Sequence, residues 1–298
     1  MSQPGLVLLD GVPARPEEAR VSVFDRGFLY GDSVFEALRT YGGKLFALDE
    51  HVARLIRSAQ LVGIRVPLEQ REFEEEIARG IELAELPESY VRVLLTRGQA
   101  AKLGLASALS GAPLRVVMVL PLELPQAQKY ETGIAAITYR TQRLSDGTSA
   151  AGAKLGNYLL SVLATDAARS ASAEEAILVD ARGSVLEGAT SNLFLVSGGR
   201  LVTPPLSQDI LAGITRQHVL ALAPALGIEV VEREVAVAEL GRCDELFVSS
   251  SIRELLPIVR VDGSAIGAGR PGPVFARLLA AFRERAMSLA SARVSVHA

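Results

Sequence analysis

Two hydrophobic periodicities alternate along the chain. GLVLLDG and ARVSVFDRG, near the start, are short apolar-rich runs that read as strands, with turns at Asp10-Gly11 and around Arg26-Gly27. DSVFEALRTYGGKLFAL reads as two strands joined at Gly42-Gly43. The period then changes. In LDEHVARLIRSAQLVGI, Leu48, Val52, Leu55, Ile56 and Ala59 share one helical face, and Asp49 is predicted as the N-cap. LEQREFEEEIARGIELAEL is a second amphipathic helix with acidic residues in its early turns. SYVRVLLTRG and PLRVVMVLPL are strands rich in branched residues.

The polar, proline-bearing stretch PLELPQAQKYETG breaks this pattern. It predicts a small α/β domain over residues 1–120, an interdomain loop over 121–130 and a larger domain over 131–298. In the larger part, GIAAITYRT is a strand and GNYLLSVLATDAARSASA a helix. EAILVDARGSVLEGATSNLFLVSGGRLVTPP is a run of short strands, and TRQHVLALAPALG is a helix ended by Gly227. DELFVSSSIRELLPIVRVDG is strand, turn and strand, and GPVFARLLAAFRERAMSLA is a closing helix. Strands occur both in hairpins and between helices, which predicts an α/β (α+β) fold with mixed sheets in two domains.

Composition narrows the classes. With 49% hydrophobic and 22% charged residues the chain is globular. A net charge of -3 gives no electrostatic footprint for nucleic acid. No apolar run reaches the roughly 18 residues of a membrane helix, and the start lacks the layout of a secretory leader. One cysteine, three histidines and no CxxC or HExxH predict no metal site and suit a cytoplasmic protein.

Individual residues carry chemistry only in combination. Lys154, one of four lysines, stands among Ala, Leu and Gly in AAGAKLGNYLLSVLA, which reads as a helix. It either snorkels its stem along the surface or is a partly dehydrated, nucleophilic amine. Gly213, Ile214 and Thr215 precede a helix, where N–H groups and a hydroxyl can bind an anion or simply cap the helix. Arg54 lies beside the apolar face of its helix and could meet a phosphate or face solvent. Glu187, between two strands, could face a ring nitrogen or water. Ser249, Ser250 and Ser251 form a turn able to bind phosphate or carboxylate.

The order and spacing of these segments resemble one family. AKLGNYLLSVLA, LEGATSNLFLV, ILAGITR and VSSSIRELLPIVRVDG, with DRGFLYGDSVFEALRTYGGKLFALDEHVARLIRSA before them, resemble the class IV (fold type IV) pyridoxal-phosphate aminotransferases over nearly the whole chain. That family includes branched-chain and D-amino acid aminotransferases and aminodeoxychorismate lyase.

The resemblance implies a two-domain fold with pyridoxal 5'-phosphate between the domains, and a homodimer whose sites are completed by the partner. By the same resemblance Lys154 binds the cofactor covalently and Glu187 faces its pyridine nitrogen. Arg54, Ile214, Thr215 and Ser250 hold its phosphate, Tyr158 its ring hydroxyl, and Leu211 its ring face. Tyr30 and the loop Lys102–Leu105 are candidates for completing a partner's site.

For the substrate, Tyr30, Phe35, Tyr90, Arg92, Arg97 and Ser251 are candidates. Tyr90-x-Arg92 and YGDSVFEALR are similar to branched-chain enzymes. Arg97-Gly98-Gln99 lacks the His of an Arg-x-His pattern found in D-specific ones. SSSIREL departs from the Gly-Thr-Ala-Ala turn of branched-chain members. The expected activity is transfer of an amino group between L-branched-chain amino acids and 2-oxoglutarate. A D-amino acid transaminase, an aminodeoxychorismate lyase and a non-catalytic binding protein are the alternatives.

Overall fold

Antiparallel pairing organises the first of two units. The computed structural model describes residues 5–106, 111–141 and 152–292. The first unit comprises Met1–Glu123, Ala153–Asn157 and Ala286–Ala298, the second Leu124–Gly152 and Tyr158–Arg285. The tail beyond 292 and the start of the lysine segment, Ala150 and Ala151, lie outside the described residues.

The first unit runs β1 (Leu6–Leu9), β2 (Val12–Ala14), α1 (Arg26–Tyr30), β3 (Ser33–Tyr41), β4 (Lys44–Leu45), α2 (Leu48–Leu61), α3 (Gln70–Ala84), β5 (Ser89–Thr96) and β6 (Leu114–Pro121). The strands form one sheet in the order β2-β1-β6-β5-β3-β4. Glycines 42 and 43 make the two-residue turn between β3 and β4. Directly opposed residues of an antiparallel pair share a face. The β3–β5 pairs Val34–Leu95, Glu36–Val93 and Leu38–Val91 therefore face one side, and Phe35–Leu94 and Ala37–Arg92 the other. The first side carries the core, where Val52 and Leu55 of α2 and Phe73 and Ile77 of α3 join the sheet residues.

Three local expectations change. ARVSVFDRG forms no strand: Val21, Val23 and Phe24 are exposed, so its alternation has no buried face, and Asp25 instead caps α1 by accepting from Gly27 N–H at 2.7 Å. Helix α2 starts one residue before Asp49, after Ala47 in the left-handed conformation, and Asp49 lies in its acidic first turn. The stretch predicted as an interdomain loop contains a short helix.

The second unit runs α4 (Ala127–Thr132), β7 (Ile134–Arg140), α5 (Leu159–Ser170), β8 (Glu175–Val179), β9 (Ser184–Gly188), β10 (Asn192–Ser197), β11 (Arg200–Thr203), α6 (Ile214–Ala225), β12 (Val230–Glu232), β13 (Val235–Ala236), β14 (Glu245–Ser250), β15 (Glu254–Val261) and β16 (Ser264–Ala265). The last helix, α7, spans Pro273–Ala292. Its sheet is mixed, in the order β12-β11-β10-β14-β15-β7-β8-β9-β13, with β7 parallel to both β8 and β15. Ala164 and Ala168 of α5 pack on Ala176 and Leu178 of β8. On the sheet, Leu193, Leu195, Leu246, Val248 and Ile258 build the central apolar layer.

Candidate active site

Lys154 does not lie on a helix. Its segment is extended and bonded to the start of β3: Phe35 N–H donates to Lys154 C=O at 3.1 Å, and Gly156 N–H to Ser33 C=O at 2.7 Å. Lys154 N–H donates to Ser58 Oγ of α2 at 3.1 Å. At Gly156 the two strips pack closely: a Cβ there would meet Ser33 Oγ and force that side chain to turn. The backbone is thus held on both sides while the side chain projects over an aromatic ring. Lys154 Nζ lies 4.7 Å from the Phe35 ring centroid, and Arg92 Cζ lies 4.0 Å from the same centroid. Helix α5 starts only at Leu159, with Tyr158 as its N-cap residue.

Beneath this segment sits a buried charge cluster. Arg54 donates to both oxygens of Glu36, Nε to Oε1 at 2.6 Å and Nη2 to Oε2 at 2.7 Å. His51 Nδ1 is 2.7 Å from Glu36 Oε2. All three side chains are buried. Burial by itself raises the Glu36 carboxyl, but the Arg54 guanidinium and the bonds from Arg54 and His51 outweigh it and hold it at about 2. His51 is shifted below its ordinary value, first by burial and also by the Arg54 and Lys154 charges, against the pull of Glu36.

Both shifts have the same sign for folding. The unfolded chain binds protons that the folded one refuses, below 6.5 at His51 and below 4.5 at Glu36. Stability is therefore full above those values and is lost as pH falls. Melting curves between pH 8 and pH 4 are expected to show a falling midpoint, with the first part of the fall reduced in His51→Asn. A variant whose midpoint tracks the wild type throughout would contradict this.

Arg97 is engaged in the framework. Its Nε donates to Asp32 Oδ2 at 2.8 Å, Nη1 to Gly63 C=O at 2.6 Å and Nη2 to Val62 C=O at 2.7 Å. These bonds tie the end of β5 to the end of α2. Tyr90 and Arg92 share one face of β5 and are half-buried. Tyr30 lies at the end of α1, where its hydroxyl accepts from Gly104 N–H at 3.2 Å. Arg26 holds the same loop by donating to Gly104 and Leu105 carbonyls at 2.8 and 2.9 Å.

The second unit carries a helix start without a side-chain cap and buried polar side chains near it. Helix α6 starts at Ile214 after Gly213, with no side-chain cap. The first N–H groups of a helix lack intrahelical partners and suit an anion. Thr215 Oγ1 is buried there with no partner among the described residues, and so is Ser249 Oγ of β14. Buried hydroxyls are normally bonded, and each of these two has a donor to offer an acceptor. Ser250 ends β14 and its Oγ accepts from Arg253 N–H at 3.3 Å; Ser251 follows in the turn. Glu187, near the end of β9, is buried. Its Oε2 accepts from Leu211 N–H at 3.2 Å and from Asn192 Nδ2 at 3.4 Å. A buried carboxylate, a half-buried leucine and a donor-rich helix start thus occur together.

The family model for "Amino-transferase class IV" matches residues 33–261, from β3 to the end of β15. The chain belongs to the class IV aminotransferases. A Methanocaldococcus jannaschii protein, provisionally named a branched-chain-amino-acid aminotransferase, is 38% identical over 278 residues, covering 93% of this chain and 95% of its own. The D-alanine aminotransferase of Bacillus licheniformis is 33% identical over 282 residues, covering 95% and 97%. The solved structure of the Escherichia coli branched-chain amino acid aminotransferase has a TM-score of 0.91 at 33% identity, covering 96% of each chain.

The protein is therefore a pyridoxal-phosphate-dependent aminotransferase acting on an amino acid and a 2-oxo acid. Among the described residues no helix is long and apolar enough to cross a membrane, and no cluster could hold a metal ion. Sequence reasoning passed over the Glu36–His51–Arg54 cluster and Asn192. The i,i+3 spacing of His51 and Arg54 on one helical face could have pointed to the first.

Proposed function

We propose that this aminotransferase uses L-branched-chain amino acids as donors and 2-oxoglutarate as an acceptor. The observation that carries the reading is the surface beside the Lys154 amine: the Phe35 ring, with the Arg92 guanidinium stacked on it. An aromatic wall favours an apolar side chain, and a single guanidinium suits a carboxylate. The similarity to branched-chain enzymes supports the same reading.

Pyridoxal phosphate, when bound, supplies a carbonyl that captures the substrate amine and a ring that withdraws electrons from the substrate Cα. In the proposed division of labour Lys154 Nζ binds the cofactor covalently. As a free amine, the same Nζ would carry the proton between the substrate Cα and the cofactor carbon that bears the aldehyde. For that, the amine has to pass through its neutral form. Glu187 would keep the pyridine nitrogen protonated. The Ile214 and Thr215 N–H groups, Thr215 Oγ1 and Ser250 would hold the phosphate, a role the family resemblance also gives to Arg54, which Glu36 fixes. Tyr158 would serve the ring hydroxyl and Leu211 the ring face. Tyr90, Arg92 and Ser251 orient the substrate carboxylate.

The reading includes a homodimer. Phe28, Leu103 and Leu105 are strongly exposed on the first unit, and Leu159, Val162 and Leu163 on α5 of the second. Apolar clusters of this kind call for a cover. A second copy that covers them would bring Tyr30 and the loop Lys102–Leu105 to its partner's substrate. The one cysteine, Cys243, is a buried thiol that burial raises to about 11, which makes it unreactive.

Initial rates over a panel of L- and D-amino donors with 2-oxoglutarate and pyruvate test the substrate reading. L-leucine, L-isoleucine or L-valine is expected to exceed L-aspartate, since an apolar pocket gains about 1–3 kcal/mol per methylene. D-alanine outrunning every L-donor would replace this reading with that of a D-amino acid transaminase, a choice that the Bacillus licheniformis relative keeps open.

A further inference from the structure

Asn192 connects three parts of the second unit with one amide. It opens β10, opposite Ser249 of β14, and is 4% exposed. Its Nδ2 donates to Leu211 C=O at 2.8 Å and to Glu187 Oε2 at 3.4 Å. The same Glu187 oxygen accepts Leu211 N–H, which closes a small ring of hydrogen bonds. On the other side of the amide, Oδ1 lies against Gly213, the residue that precedes α6; a Cβ at 213 would collide with it.

The chemistry of this arrangement is specific to an amide. The Leu211 carbonyl and the Glu187 carboxylate both need a donor, and only the NH2 group of Asn supplies two N–H bonds from one side chain of this length. Aspartate would offer no N–H and would place a second carboxylate beside Glu187. Alanine would leave a buried carbonyl and a buried carboxylate each short of a bond.

We propose that Asn192 is a positioning residue for transamination. It fixes the direction of the Glu187 carboxylate and, through Leu211 and Gly213, the place of the α6 N-terminus. The residue proposed to face the pyridine nitrogen and the helix proposed to hold the phosphate are thus set by one side chain. The inference rests on the role given above to Glu187.

The test uses the cofactor-loaded protein with Asn192→Ala, Asn192→Asp and Glu187→Gln side by side. The readouts are kcat, KM, the dissociation constant for pyridoxal phosphate, and the nitrogen NMR shift of cofactor labelled at its ring nitrogen. Both Asn192 variants are expected to lose about 10- to 100-fold in kcat, the scale of a hydrogen bond to a charged group, with KM nearly unchanged. They are also expected to bind cofactor more weakly and to move the ring-nitrogen signal toward the unprotonated value, as Glu187→Gln does. Asn192→Ser, which keeps a smaller donor, serves if the alanine variant does not fold. Wild-type kcat, cofactor affinity and ring-nitrogen shift in folded Asn192 variants, beside a shifted Glu187→Gln, would overturn the proposal. An unshifted Glu187→Gln would instead overturn the role of Glu187, and the proposal with it.

Discussion

Lys154→Ala is expected to leave a folded protein with transamination reduced at least about ten-thousand-fold. A positioned proton-transfer group contributes about 10²–10⁴-fold, and this residue also carries the covalent bond to the cofactor. Folding should survive. Hydrogen bonds that hold the segment run through the Lys154 backbone and Gly156, and the substitution leaves them in place. An unchanged melting midpoint beside lost turnover is therefore the expected signature. Partial return of the proton-transfer step on addition of a small primary amine would separate the two duties of the lysine. Retained turnover in this variant would remove Lys154 from the chemistry.

Glu36→Leu is expected to be the most damaging single change to stability. Its carboxylate is the bidentate partner of a buried arginine and also bonds a buried histidine. Removing one member of a buried ion pair strands the other charge and costs about 3–5 kcal/mol, or roughly 10 °C in the unfolding midpoint. The double variant Glu36→Leu/Arg54→Met should recover much of that loss, because no charge is then left without its partner. A single variant as mild as a broken surface pair, about 1 kcal/mol or less, would mean that the cluster is hydrated in solution.

The elements that local pattern controls were legible in the sequence. The Gly42-Gly43 hairpin, the amphipathic α2 and α3, and the helix that begins after Gly213 depend on neighbours a few residues away. Lys154 was misplaced for the opposite reason. Small and apolar residues around it fit a helix, but β3, more than a hundred positions earlier, captures the segment as an extended strip. No window along the chain contains that contact. The partners of Arg97 were hidden in the same way, since Asp32, Val62 and Gly63 reach it only in the folded unit.

Most of the site residues were legible only through resemblance to the family. Their supports were hidden. Glu36 finds partners 15 and 18 positions later. Asn192, five positions after Glu187, meets it across the β9–β10 turn. In both cases the pairing is set by tertiary register.

The central claim is that Lys154 is the lysine to which the cofactor attaches. The chain has only three others, Lys44, Lys102 and Lys129. Borohydride reduction of the cofactor-loaded protein, followed by proteolysis and mass spectrometry, is expected to find the phosphopyridoxyl group on the peptide containing Lys154. The group on a peptide carrying Lys44, Lys102 or Lys129 instead would contradict the account.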